Sequence, residues 1–520
     1  MRAQQPTDIV WLDVFSGVYQ STPGKRVPVG GWVDALNYRF TLSGEITARP
    51  GAAQIVVEPN AAPIVSEFIA DFDGTVRRLV ATKTKVYELL TDDTLSLVYT
   101  FPTSHHRPTF AQLLEASATV VVFGNGKDTA QKWDGTTVTA CTADTPLGRP
   151  IVWANYLGFF DIDGYPGLVQ FAISPNDPDY YYDINGDGIY LDAVGRVTSV
   201  RPFGGGLTVF TETRADFYVG DPGLGFSIQP LSKSVGCVEH FTGVDCDGLL
   251  FWIGKGGGYV WNGGGVFPTD LLTSPRDISR SNIGEDAKAF TWDDMSVFSA
   301  AYLPAKKQLW LSGKKRPIPG GDSVARTWVY FFDYGAWMPW DLEATALTTY
   351  SPTAGTQEEM LMGSVDGSIR KLSYGTYVDV ATAATTTFQY FIESGDMDLK
   401  APNNEKMFRG LHFHVRKPEG DLITAARSIH VEIKREFLPD LIQSGDVDIS
   451  SGGFILGVSV LGIGALDPFE EDEKFIRFGV RAKYFRFKIF GEGADNAAAI
   501  SALGVEARGG GKKVTLVKAA

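Results

Sequence analysis

The most specific chemical pattern in the chain is an oxygen-rich turn. Asp183-Ile184-Asn185-Gly186-Asp187-Gly188 sets side-chain oxygens at alternate positions and adds a glycine for a sharp bend, as the start of a calcium loop does. Asp183, Asn185 and Asp187 are therefore the candidate Ca2+ ligands. The twelfth position from Asp183 is Val194, where such a loop needs a bidentate glutamate, so a solvated Asn/Asp/Gly turn is the competing reading. His412 and His414 stand two apart on a predicted strand and share a face, which suits zinc, but no cysteine or third histidine lies near them in sequence. His105-His106 sits in a Ser/Pro loop and reads as surface.

Catalytic groups are harder to find. Gly204-Gly205-Gly206 and the glycine-rich stretch Gly254 to Gly265 lack both a G-x-G-x-x-G that opens a helix and a lysine followed by Ser or Thr, so phosphate cradling is not indicated. Asp161, Asp163, Asp245 and Asp247 could pair across strands as hydrolase carboxylates, with no local reason to prefer any of them. Cys246 lies between two aspartates, whose charge raises a thiol pKa and works against a nucleophile. The acidic run Glu470-Glu471-Asp472-Glu473 reads as a solvated turn. The residues thus name no catalytic group and call for no cofactor.

The elements that must position these groups are strands. With 58 Gly and 12% aromatic residues, the chain combines the turn former with the side chains that fill pleated surfaces. From residue 54 to 377 one theme recurs: a short apolar or alternating run, a Gly, Asn or Asp turn, then another run. Val76 to Tyr87, the turn Thr91-Asp92-Asp93-Thr94 and Leu95 to Tyr99 give one instance; Thr327 to Asp333, Tyr334-Gly335 and Trp337 to Asp341 give another. A propeller blade takes about 40 to 50 residues, so this span holds about seven, with stacked β-sandwiches as the alternative.

The fold class expected is all-β: a β-propeller of about seven blades (54–377), preceded by an extended arm (1–53) and followed by a β-sandwich (378–508) and a flexible tail (509–520). In Tyr484 to Phe490, apolar Phe485, Phe487 and Ile489 share the buried face. The apolar stretch Phe454 to Leu466 is either a contact site or a core hairpin.

Composition bounds the partners. A formal net charge of −14 argues against generic DNA binding, because gripping a phosphate backbone needs basic surface. An acidic lumen could let DNA slide without adhering. Three cysteines (Cys141, Cys237, Cys246) fit folding in a reducing cytosol. No secretory signal is read at the N-terminus, and no apolar run reaches the about 20 residues of a membrane-spanning helix.

Several short motifs then act together. Asn37-Tyr38-Arg39-Phe40, Ser43-Gly44-Glu45-Ile46 and Ala48-Arg49-Pro50-Gly51 form a strand, a glycine turn, a second strand and a corner. Ser234-Val235-Gly236-Cys237-Val238, Leu249 to Ile253 and Gly258-Tyr259-Val260-Trp261 follow, then Thr327-Trp328-Val329-Tyr330, Trp337-Met338-Pro339-Trp340 and Gly363 to Ile369. This series resembles the tail nozzle or packaged-DNA stabilisation proteins of short-tailed phages. The resemblance implies a structural virion protein assembled in the host cytoplasm. It implies a homohexameric ring below the head-to-tail connector, tail fibre or spike neighbours, and genomic DNA crossing the lumen without specific binding. It implies no catalytic residue. The rival readings are a calcium-dependent carbohydrate-binding propeller, motivated by Asp183 to Asp187, and a propeller glycosidase, motivated by the scattered aspartates.

Overall fold

Alternating β-branched and aromatic residues, cut every few positions by Gly, Asn or Asp, leave the backbone little choice but short antiparallel strands. The computed structural model describes residues 8–509 apart from loop stretches, the longest being 182–188, 264–275, 291–296, 316–322, 352–357, 398–404, 417–427, 436–440, 449–471 and 493–498. The described residues are all-β and propeller-like. Six four-stranded sheets follow one another along the chain, spanning 66–100, 109–140, 149–192, 197–232, 244–277 and 299–340. Each is a meander in which neighbours in sequence are neighbours in space.

A further sheet uses Ala346–Tyr350, Glu359–Gly363 and Ser368–Ser373, and its fourth strand comes from the other end of the chain. Gly51–Val57 pairs antiparallel with Ser368–Ser373, and Val378–Ala381 and Ala384–Thr387 extend the same sheet. The first strands of successive sheets pack side by side: Ser66–Phe72, Thr109–Glu115, Arg149–Trp153 and Val197–Phe203, then the short helix His240–Thr242, Ser299–Leu303 and Ala346–Tyr350. The circuit closes where Ala346–Tyr350 touches Ser66–Phe72. Circular closure leaves no innermost edge for another chain to pair with.

Two six-stranded sheets hold the remaining strands. Lys406–Arg416, Asp472–Ala482 and Ala499–Gly509 anchor one, while Gln389–Ser394, Ser428–Arg435, Leu441–Asp448 and Phe485–Glu492 anchor the other. Phe408, Leu411 and Phe413 of the first and Val431, Phe485, Phe487 and Ile489 of the second belong to one buried core. The alternation expected for Phe485, Phe487 and Ile489 is what places them there.

The segment expected to be an extended arm is built into these sheets. Asp8–Leu12, Tyr38–Phe40 and Ile46–Ala48 join the first, and Gly17–Val18 with Gly31–Leu36 join the second. The cause is apolar: Phe15 stacks on Trp32 at 5.6 Å, and Trp32 meets the edge of Phe487 at 6.3 Å. The expected boundary at 53/54 falls inside Gly51–Val57, and the boundary at 377/378 cuts off two strands that extend the closing sheet. Phe454 to Leu466, expected as contact site or hairpin, lies outside the described residues, as does the 510–520 part of the expected tail.

Arg49 joins the two units. Its side chain is fully buried and gives Nη1 and Nη2 to the two carboxylate oxygens of Asp379 (2.9 and 2.8 Å), and Nη2 also to Asp341 (2.8 Å). The Phe388 ring lies 3.6 Å from the guanidinium carbon. Asn37, in the left-handed region at φ 60°, accepts from Arg49 Nε at 3.0 Å and from the Asp341 amide at 2.9 Å. Its own amide nitrogen donates to the Gln389 carbonyl at 2.6 Å. At Gly51 a β-carbon would stand 2.0 Å from the Val378 carbonyl oxygen, so no other residue fits the corner.

Removing one partner of a buried ion pair leaves the others desolvated and uncompensated. Arg49→Met is expected to lower unfolding stability by about 3 kcal/mol, the lower end of the range because both aspartates keep some solvent contact. Asp379→Asn is expected to cost less. Urea unfolding of the two variants measures both, and a loss below about 0.5 kcal/mol for Arg49→Met would contradict the clamp.

Candidate functional site

The residues singled out by sequence scatter. Asp183, Asn185 and Asp187 lie outside the described residues, as does Val194. Among the described residues no group of three or more His, Cys, Asp or Glu is placed to hold a metal ion. His412 and His414 do share a face of Lys406–Arg416; His412 packs 4.3 Å from Phe475 and approaches Glu506 at 3.8 Å. Of the four aspartates, Asp161 is held bidentate by Arg196 (2.9 Å twice), and Asp163 pairs with Lys127 at 2.6 Å on a surface turn. Asp245 accepts from the Gly248 amide, and Asp247 accepts from the Tyr302 hydroxyl. No hydrogen bond joins any two of them.

Cys246 is buried, and burial pushes its thiol up before Asp245 and Asp247 add to the shift. The flanking carboxylates are thus the lesser cause. Burial likewise pushes Cys141 up to about 12 and Cys237 to about 11, so none of the three thiols is poised as a thiolate.

What the structure does bring together is a set of arginines on, or just before, three of the innermost strands. Arg107 precedes Thr109–Glu115, Arg149 opens Arg149–Trp153, and Arg201 lies in Val197–Phe203. A signal was available in the sequence: His106-Arg107-Pro108, Gly148-Arg149-Pro150 and Val200-Arg201-Pro202 repeat the dipeptide already seen at Ala48-Arg49-Pro50. Proline holds the residue before it in extended backbone and lacks an amide to donate, so it sits naturally at a strand start.

The short helix His240–Thr242 lies where a first strand of the fifth sheet would, and all three guanidiniums converge on it. Arg107 is fully used: Nε, Nη1 and Nη2 donate to the carbonyls of Val65 (2.6 Å), Phe298 (2.5 Å) and Thr345 (2.7 Å), tying three sheets together. Its guanidinium carbon lies 3.9 Å from the Phe241 ring centre. Arg149 lies 5.5 Å from the same ring and 5.1 Å from Phe160. Its Nε and Nη2 make no hydrogen bond, and Glu239 stands 3.9 Å from Nη2. Arg201 gives Nη2 to the His240 carbonyl at 2.6 Å, while its Nε is unpaired.

Electrostatics follow from burial. It lowers the pKa of Arg107 and of Arg201 to about 10 and that of Arg149 in the same direction, so all three remain charged near neutrality. Burial, then the three neighbouring guanidiniums, push His240 well below its ordinary value and keep it neutral; its Nδ1 is 3.3 Å from the Ser199 hydroxyl. Glu67, in Ser66–Phe72, is pushed up to about 8 by burial against the pull of Arg107, and neither carboxylate oxygen has a hydrogen-bond partner. The cluster therefore sets three guanidiniums against Glu239, with Asp161 and Glu67 as the further carboxylates that act on Arg149 and Arg107. Such an arrangement can hold an anion; it presents no activated nucleophile.

No protein-family model and no curated protein matches the sequence. Among solved structures, an exo-β-1,3-galactanase variant from Phanerochaete chrysosporium crystallised with β-1,3-galactotriose is similar at 12% identity and a TM-score of 0.28, over 77% of this chain and 95% of that one.

Glu67 makes stability depend on pH. Its pKa in the fold, about 8, lies above the ordinary 4.5, so between those values the folded chain holds a proton that the unfolded chain has released. Its contribution is complete below about 4.5 and is lost as pH rises through about 8. Glu67→Gln is expected to flatten the decline between pH 5 and 8 measured by denaturant unfolding. Parallel pH profiles for the variant and the parent would refute this assignment.

Proposed function

We propose that the chain is a structural ring subunit of the tail nozzle type, in which seven blades and a C-terminal sandwich form one building block of a DNA conduit. The carrying observation is the role of the motif behind the resemblance. Asn37, Arg49 and Gly51 form the joint that closes the seventh sheet and locks it to the sandwich. A scaffold that must transmit load between two β units needs such a joint.

Surface character supports assembly. On the hairpin formed by Ala215–Asp221 and Gly225–Ser232, Leu224 is 93% exposed and Ile228 53%, with Val219 beside them. An outer edge strand carrying apolar side chains is suited to burial against another subunit. The net charge of −14 would give a ring of such chains a surface along which DNA moves without adhering.

Electron microscopy of the purified chain, alone and with a head-to-tail connector, is expected to show closed rings that dock on the connector. Leu224→Lys combined with Ile228→Lys is expected to turn the rings into monomers while leaving the thermal transition of the monomer in place. A parent chain that stays monomeric with and without connector, or that hydrolyses glycans or binds them through calcium, would overturn the proposal in favour of its rivals.

A further inference from the structure

Burying three guanidiniums, with Glu239 as the nearest carboxylate and Asp161 and Glu67 beyond it, leaves an excess of positive charge in a region that water screens poorly. Proteins tolerate such charge when an opposite charge completes it. Arg107 is satisfied by three carbonyls, but carbonyls supply dipoles and not a countercharge. Arg149 keeps Nε and Nη2 unpaired, and Arg201 keeps Nε unpaired. Guanidinium forks match tetrahedral oxyanions in geometry, and weak hydration makes them suited to doing so away from bulk water.

The surroundings favour the same occupant. Phe160 and Phe241 wall the cluster with aromatic faces, which hold guanidiniums without neutralising them. The next ionic pair outward, Arg196 with Asp161, is already internally balanced, so it does not supply the missing charge. His106 lies 3.5 Å from Asp161, and burial followed by Arg149 pushes its pKa down to about 4, which keeps it from adding to the positive excess. Glu239 and Arg149 keep 14% and 7% of their side chains exposed, while the unpaired nitrogens of Arg149 and Arg201 are themselves buried.

We propose that the mouth of the innermost strands is a binding site for a small oxyanion of the phosphate class, held by the unpaired N–H groups of Arg149 and Arg201 over the helix His240–Thr242. Glu239 competes with the anion for Arg149. The site is independent of ring assembly, since all of its residues belong to one subunit.

Calorimetric titration of the full chain with inorganic phosphate, in a chloride buffer of constant ionic strength, is expected to show one saturable site. Arg149→Leu is expected to abolish it. Arg149→Lys, which keeps the charge and loses the fork, is expected to weaken it about tenfold, and Glu239→Gln to tighten it by a similar factor. Should Arg149→Leu fail to fold, the opposed shifts of the other two variants decide the matter. A terminal phosphate on a short oligonucleotide shares the chemistry; its binding in place of free phosphate would identify the source while supporting the site. No saturable heat with either probe, or equal heats in all variants, would overturn the proposal, because general salt effects on stability do not depend on Arg149.

Discussion

The buried guanidinium of Arg49 is the contact on which the rest of the architecture hangs. Strands alone would give two separate β units, each with its own core and an open edge where it meets the other. Arg49 removes that freedom: two carboxylates from distant parts of the chain and an aromatic ring converge on one cation, and Asn37 orients it. Around it the apolar side chains of both units merge into one core, in which Trp310 and Trp340 from the sixth sheet share space with Tyr38, Tyr390 and Phe485. The Trp340 indole donates to the Tyr38 carbonyl at 2.7 Å, a polar tie within that core.

A second organising feature works along the axis of the closed circuit. Three arginines, each followed by proline, converge there, and the chain answers their charge with carbonyls, aromatic faces and the nearby carboxylates. Arg107 shows how such a residue becomes a strut: its three bonds reach the first, sixth and seventh sheets at once. Arg149 and Arg201 have donors left over. The difference between strut and site is only which neighbours happen to offer oxygen.

Much of the fold was legible because strand period and turn chemistry are local. The alternation in Phe485 to Ile489 put the right face inward, and the Gly and Asp turns marked most hairpins. Val76 to Tyr87 misled, since a run read as one strand is two. The hydroxyl of Thr82 accepts from the amides of Thr84 and Lys85 and bends the chain there. The hairpin of Tyr38–Phe40 and Ile46–Ala48 was legible as strand, glycine turn and strand, but not where the segment docks, because pairing with strands some 350 to 500 positions away is a tertiary choice that no window of sequence contains. The arginine cluster was missed for the same reason: each arginine looks like surface until the circuit brings all three onto one turn.

Closure of the seventh sheet by Gly51–Val57 also sets the order in which the chain can mature. The strand is made early, yet the edge it must pair with, Ser368–Ser373, emerges from synthesis more than 300 residues later. Contacts of such long range carry a large loop-closure cost and slow the final step. Through that interval the partly built circle exposes open edges that could capture a neighbour. Joining the two ends of the circle is then the event that separates a finished subunit from an aggregation-prone intermediate.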